Sequence, residues 1–225
     1  ACSPATTVNS STESPRLVRL SATGTSDATP AAARASLSVV TNDTASAQAA
    51  QEAAAIATTE VLDALKAAGI ADADIATQSV NVGPTYTYTA DGGQTPTGFQ
   101  ASQSLTVTLR DLTTAGATLD AVVAAGGNAA RVDSLSTFVT DPSVALDQAR
   151  AQAVGIARAQ AEQYAQLLGF SLGPVASVTE SSTTSLPAPM AMADAVAGAE
   201  KVPTPVEAGT TQVSVSLSIA WSIED

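Results

Sequence analysis

The last stretch of the chain constrains its fold more than any other. From Gln212 to Ile223 the residues alternate strictly, with Val213, Val215, Leu217, Ile219, Trp221 and Ile223 interleaved with Gln212, Ser214, Ser216, Ser218, Ala220 and Ser222. Successive side chains of a β-strand point to opposite faces, so this segment reads as a strand with one buried and one hydroxylated face. A sheet wet on one side needs a cover on the other, and the rest of the chain supplies helices. Leu17–Thr23 and Ala33–Val40 read as strands, the latter with Leu37 and Val39 on one face and Ser36 and Ser38 on the other. Thr44–Ala68 is Ala-rich, with Ile56, Leu62 and Leu65 among its apolar positions, and Gly69 supplies a helix stop. Gln78–Thr89 returns to period two, with Val80, Val82, Tyr86 and Tyr88 on one face. After the turn signal Asp91-Gly92-Gly93, a strand from Gly98 to Arg110 completes a hairpin, with Leu105, Val107 and Leu109 inward.

Leu112–Ala125 reads as a second helix ended by Gly126-Gly127, and Arg131–Val139 as a strand. Asp141-Pro142 opens a third helix that reaches Leu168, with Asp141 as cap and Pro142 at the first helical position. Its stripe is Leu146, Ala149, Ala153, Ile156, Ala157, Ala161, Tyr164 and Leu168. Leu172–Glu180 is a further strand. The order β-β-α-β-β-α-β-α-β-β, with half-buried strands, predicts an α+β fold: two-layer sandwiches of antiparallel sheet with helices on one face. The organisation predicted is a flexible tether over 1–15, a first subdomain over 16–100 plus 203–225, a second over 101–182, and a mobile Pro/Ala/Met loop over 183–202. Apolar residues make up 45% of the 225, yet aromatics only 3%, so Val, Leu and Ile must fill the core against helices faced with small side chains.

The chemical inventory is narrow. There is no histidine, and the one cysteine is Cys2, so an internal disulfide is excluded. Serines are plentiful but lack an activating histidine, and a Ser–Lys pair has only Lys66 and Lys201 to draw on. Zinc, iron and copper sites normally use His and Cys. Asp72 and Asp74 read as a solvated turn, and Met190 and Met192 as incidental, so no metal site, cofactor or catalytic residue is assigned. Arg110, Asp111, Arg131 and Asp133 gather near strand–helix junctions as local ion pairs and caps, or as a polar patch at a subunit contact. The net charge of −12 repels phosphate backbones and argues against nucleic acid.

Residues 1–15 are Ser/Thr/Pro-rich, too polar to offset the entropy of ordering. A small residue, then Cys2, then a polar tether is what a cleaved bacterial lipobox leaves, and it makes Cys2 the expected lipid-attachment residue. Sequons at Asn9 and Asn42 are expected by chance in so Ser/Thr-rich a chain.

Spread along the chain are Gly24; Gly69-Ile70 with Ile75-Ala76-Thr77; Gly98-Phe99-Gln100-Ala101 leading to Val107-Thr108-Leu109-Arg110-Asp111-Leu112; Gly127-Asn128; Ala149-Arg150, Ala153, Ala157-Arg158 and Ala161; Leu168-Gly169 with Leu172-Gly173; and Val206-Glu207-Ala208-Gly209. In this order and spacing they resemble the SIMPL-domain family, the YggE-like or periplasmic immunogenic proteins. With Cys2, the chain resembles the actinobacterial lipoproteins of that family, the LpqG type. Pro30-Ala31 and Ala208-Gly209 depart from the expected Pro-Asp and Pro-Gly. The resemblance implies an extracytoplasmic envelope protein, loosely linked to stress tolerance, with no established catalytic residues. The function expected is therefore that of a non-catalytic, lipid-anchored envelope protein. Its partners are the membrane, through Cys2, and either an unidentified envelope protein or further copies of itself. The alternative is a small-ligand or lipid-binding module with a cleft between its subdomains. An enzyme using carboxylates alone is a third reading.

Overall fold

The computed structural model describes residues 16–88, 91–184 and 204–224. The elements run β1 (Leu17–Ala28), β2 (Ala32–Asp43), α1 (Ala47–Ala67), β3 (Ile75–Tyr88), β4 (Gln94–Leu109), α2 (Leu112–Gly126), β5 (Ala130–Phe138), α3 (Ser143–Leu168), β6 (Ser171–Thr184) and β7 (Thr211–Glu224). This is the α+β order that the periodicity predicts. Cys2 and the tether lie outside the described residues, as do Met190, Met192, Lys201 and nearly all of the 183–202 loop.

Local chemistry sets the helix ends. Helix α1 starts at Ala47 rather than Thr44, because the Ser46 hydroxyl accepts from the Ala49 amide while the Asp43 carboxylate accepts from the amides of Ala45 and Ser46. At its other end Gly69 takes φ +84°, and the Gly69 and Ile70 amides donate back to Lys66 and Leu65. That left-handed closure is costly for any residue with a Cβ. Asp111 caps α2 through the Thr113 amide. Helix α3 departs from expectation: Pro142 itself holds the N-cap position, and its carbonyl accepts from Leu146.

The strands form two sheets in two compact units. One unit holds a four-stranded sheet, β3-β4-β2-β5, with α1 and α2. Its pairings are antiparallel, with Leu37 opposite Leu105 and Ala35 opposite Leu135. Ala33, Ala35, Leu37, Val39, Leu105, Val107 and Leu109 face Ala57, Val61 and Leu65 of α1 and Ala115, Leu119 and Val122 of α2. The other unit holds a three-stranded sheet, β1-β7-β6, with α3. There the alternation of β7 is realised: Val215, Leu217, Ile219 and Trp221 pack against Ala22 and the alanines of α3. On the other face, Ser216 bonds Thr23 and Ser214 bonds Thr183.

The expected subdomain boundaries do not coincide with these units. β4 pairs with both β2 and β3 and β5 pairs with β2, so the strands at 101–109 and 130–138 belong to the same sheet as β2, whereas α3 and β6 fall in the other unit. β1 leaves the first half of the chain to join β7, alongside α3 and β6. Alternation identifies a strand and its buried face, but not its neighbours. The stripe of α3 also differs. Its buried positions are Ala145, Ala149, Ala153, Ala157, Ala161 and Ala165, whereas Ile156, Tyr164 and Leu168 are exposed. The cause is close approach: a Cβ on Gly24 of β1 would overlap the Ala149 carbonyl oxygen and lie 2.5 Å from the Ala153 nitrogen. Only methyl-sized side chains fit beneath a helix so near the sheet.

Candidate functional site

The candidate surface is built from sheet faces that the helices do not cover. In the four-stranded sheet, the pairing of β2 with β4 ends at Asp43 opposite Phe99, while β3 and β4 stay paired out to Tyr88 opposite Gln94. The end of this hairpin therefore projects as a two-stranded ribbon. Val82 lies opposite Ala101, Pro84 opposite Phe99 and Tyr86 opposite Pro96. Ala101 is buried under Ala50 and Ala54 of α1, but α1 begins only at Ala47, so its cover stops there. Beyond it the ribbon continues uncovered, with Tyr86 50% and Tyr88 73% exposed, and one row inward of Ala101 the edge strand also exposes Val80 at 56%. Isolated exposed apolar residues are ordinary, but a run of them along one edge strand is not.

The three-stranded sheet repeats the situation. Its edge strand β6 exposes Val175 and Val178. These two residues, with Val154 of α3, Leu172 and Trp221, line an open groove of about 470 Å³. Arg158 and Glu162 pair at its margin, 2.8 Å apart. Edge strands present unpaired backbone donors and acceptors, which proteins usually protect. Arg150 partly does so here, because its guanidinium bonds Glu180 of β6 at 2.9 Å and Asp147 at 2.7 Å. That contact holds the Glu180 carboxyl below its ordinary range and raises the guanidinium pKa.

The polar residues singled out from sequence are dispersed. Lys66 lies 3.1 Å from Asp72. Asp74 instead receives a two-pronged bond from Arg110, at 2.8 and 2.6 Å, which lowers its pKa. Asp111 caps α2, its pKa lowered by the Thr113 hydroxyl and amide. Arg131 and Asp133 sit elsewhere on β5: Arg131 is opposite Ser38, and Ser38 bonds Asp133 at 3.0 Å. Leu109, beside Arg110, is instead opposite Ala33, so the four residues form no single patch. Trp221 is core, 6% exposed. Among the described residues, no helix is long and apolar enough to cross a membrane.

The apolar edge residues were visible as an alternating face, but nothing in their spacing says that α1 stops short of them. Val175 and Val178 carry no alternating signal, because β7 pairs with β6 through two register shifts.

The likeness to known proteins spans nearly the whole chain. Residues 18–221 match the model of SIMPL, a protein family of unknown function (DUF541). A 26 kDa periplasmic immunogenic protein of Brucella melitensis biotype 1 is 34% identical over 223 residues, 96% of this chain and 88% of that one. The uncharacterized protein YggE of Edwardsiella ictaluri is 39% identical over 116 residues, 52% of this chain and 48% of that one. YggE of Escherichia coli K12 is 36% identical over 121 residues, 54% and 48% of the two chains. With a family model and a relative both matching at this extent, the chain belongs to the SIMPL family.

Proposed function

We propose that this protein is a non-catalytic, extracytoplasmic envelope component, tethered by lipid at Cys2, that works by pairing its uncovered sheet edges with other protein chains, further copies of itself included. The observation that carries the reading is the apolar face of edge strand β3, where Val80, Val82, Tyr86 and Tyr88 stand exposed, the two tyrosines on the projecting ribbon. Extended edges accept an added strand through backbone hydrogen bonds, and alternate side chains supply the apolar contact. The printed name of the Brucella melitensis relative supports the compartment. A small residue before Cys2 and a polar stretch after it support the anchor. Two acyl chains hold durably to a membrane where one does not.

Light scattering across a concentration series tests the assembly. A mass above the monomer is expected, and it should fall toward monomer when Tyr86→Lys and Val82→Lys place charges on the ribbon. A wild-type protein that stays strictly monomeric and captures no envelope protein through this ribbon refutes the reading. Intact mass of membrane-extracted native protein tests the anchor, and an unmodified Cys2 there refutes it.

A further inference from the structure

We propose that the open face of the four-stranded sheet binds a small oxyanion, a ligand carrying a carboxylate or phosphate group, centred on Arg34. The register assembles the site from three strands. Arg34 of β2 lies between Thr108 of β4 and Ser136 of β5, and Ser36 lies between Thr106 and Ser134. Helices α1 and α2 cover the opposite face, so these side chains point away from the core. Arg34, Ser36, Thr106, Ser134, Ser136 and Phe138 line a depression of about 310 Å³. That volume is at the lower end of the roughly 300–1,000 Å³ usual for small-molecule sites, and suits a compact ligand.

Three features give the depression its chemistry. The Arg34 guanidinium carbon stands 5.4 Å from the centre of the Phe138 ring. Stacking occupies a flat face of the guanidinium and leaves the in-plane N–H fork for an anion, which a carboxylate or phosphate can accept in bidentate fashion. Second, among the described residues no carboxylate pairs with Arg34, although acids outnumber bases 21 to 9 in the chain, Arg110 and Arg158 each hold one and Arg150 holds two. Third, the hydroxyls of Ser36, Thr106, Ser134 and Ser136 make no side-chain hydrogen bond among the described residues, so each is open to donate to a ligand oxygen. One row further along β2, Ser38 is committed to Asp133. Arg131 lies opposite Ser38 in the same row, so the acid and a second cation stand side by side next to the Arg34 and Ser36 rows.

The test is a titration of the isotope-labelled 225-residue chain with inorganic phosphate and, separately, acetate, each against sodium chloride at matched ionic strength, followed by amide NMR shifts. Saturable shifts are expected at Arg34, Ser36, Thr106, Ser134 and Ser136, and the anion that saturates first identifies the headgroup. Arg34→Gln should weaken binding roughly 10- to 100-fold, the usual loss for hydrogen bonds to a charged partner. Arg34→Lys should give an intermediate loss, because it keeps the charge without the fork. If Arg34→Gln fails to fold, the pair Ser134→Ala and Ser136→Ala reads the same site and should weaken binding too. The proposal is overturned if neither anion shifts these amides beyond the chloride control, or if the shifts persist unchanged in the variants.

Discussion

Gly24→Ala and Gly155→Ala should move stability in opposite directions, although they insert the same methyl group into one unit. At Gly24 the new Cβ meets the Ala149 carbonyl oxygen and the Ala153 nitrogen, both backbone atoms of α3 that no rotamer change can move aside. The helix must withdraw by roughly 1 Å, and a gap of that size forfeits about a quarter to a half of each dispersion contact across it. The contacts at stake are those of Ala149, Ala153, Ala157 and Ala161, each fully buried. At about 0.8 kcal/mol per buried methyl, their partial loss joins an overpacking strain of about 1–3 kcal/mol, so a destabilisation of about 2–4 kcal/mol is expected. At Gly155, in the interior of α3, a Cβ meets nothing within 4 Å. Alanine there should stabilise by up to about 1 kcal/mol through helix propensity alone. The assay is urea unfolding followed by the emission of Trp221, the one tryptophan of the chain, which lies in the core beneath α3. A Gly24→Ala midpoint equal to wild type refutes the close approach of α3 to β1, and a lowered midpoint for Gly155→Ala refutes the open space beside Gly155.

Three further outcomes follow from the same geometry. Leu105→Ala, at a fully buried position opposite Leu37, should cost about 2–5 kcal/mol by far-UV circular dichroism. Asp120→Ala removes the acceptor of the Thr204 amide and hydroxyl, at 3.0 and 2.6 Å, so hydrogen exchange at Thr204 should quicken while global stability changes by less than about 1 kcal/mol. Melting temperature should be nearly flat between about pH 5 and 8, because the chain has no histidine to titrate there. Below about pH 4 it should fall. Asp43, Asp74, Asp111 and Glu180 have folded pKa values below their unfolded ones, so their contribution is complete above the unfolded value and is lost as pH drops through the folded one. A melting temperature that rises continuously below pH 4 contradicts the assignment.

What could be read in advance was whatever depends on neighbours in sequence. The alternation of β7, the Gly69 helix stop and the order of strands and helices are local facts, and all reappear. Strand pairing is not local. Leu105, Val107 and Leu109 announce an inward face equally well whether β4 lies beside β2 or elsewhere, so the subdomain boundaries were illegible. The oxyanion site was hidden for the same reason. Ser36 could be placed on the wet face of its strand, but Thr106 and Ser134, far away in sequence, reach its side only through the register. Helix α3 shows a subtler limit. Its sequence offers Ile156, Tyr164 and Leu168 beside the alanines, and hydrophobicity alone favours the larger residues as core. The absent Cβ of Gly24 decides otherwise, and that glycine lies on a different element.

That choice bears on function. The four-stranded unit buries Leu37, Leu65, Leu105 and Leu109, side chains that yield about 1.5–3 kcal/mol each on burial. The helix of the three-stranded unit buries alanines at its centre, worth roughly 0.8 kcal/mol per methyl. A helix lowered onto a sheet in this way gains closeness and gives up area, and its larger apolar residues are pushed to the flanks. Val154, Ile156, Tyr164, Leu167 and Leu168 are all left exposed on α3, as are Val175 and Val178 on the neighbouring strand β6. The large residues of this unit's core come from β7, with Val215, Leu217, Ile219 and Trp221 buried, while those of α3 stay in solvent. The alanine stripe and the exposed apolar flanks of α3 are thus two consequences of one close approach, and those flanks are part of the surface that the proposed pairing with another chain would bury.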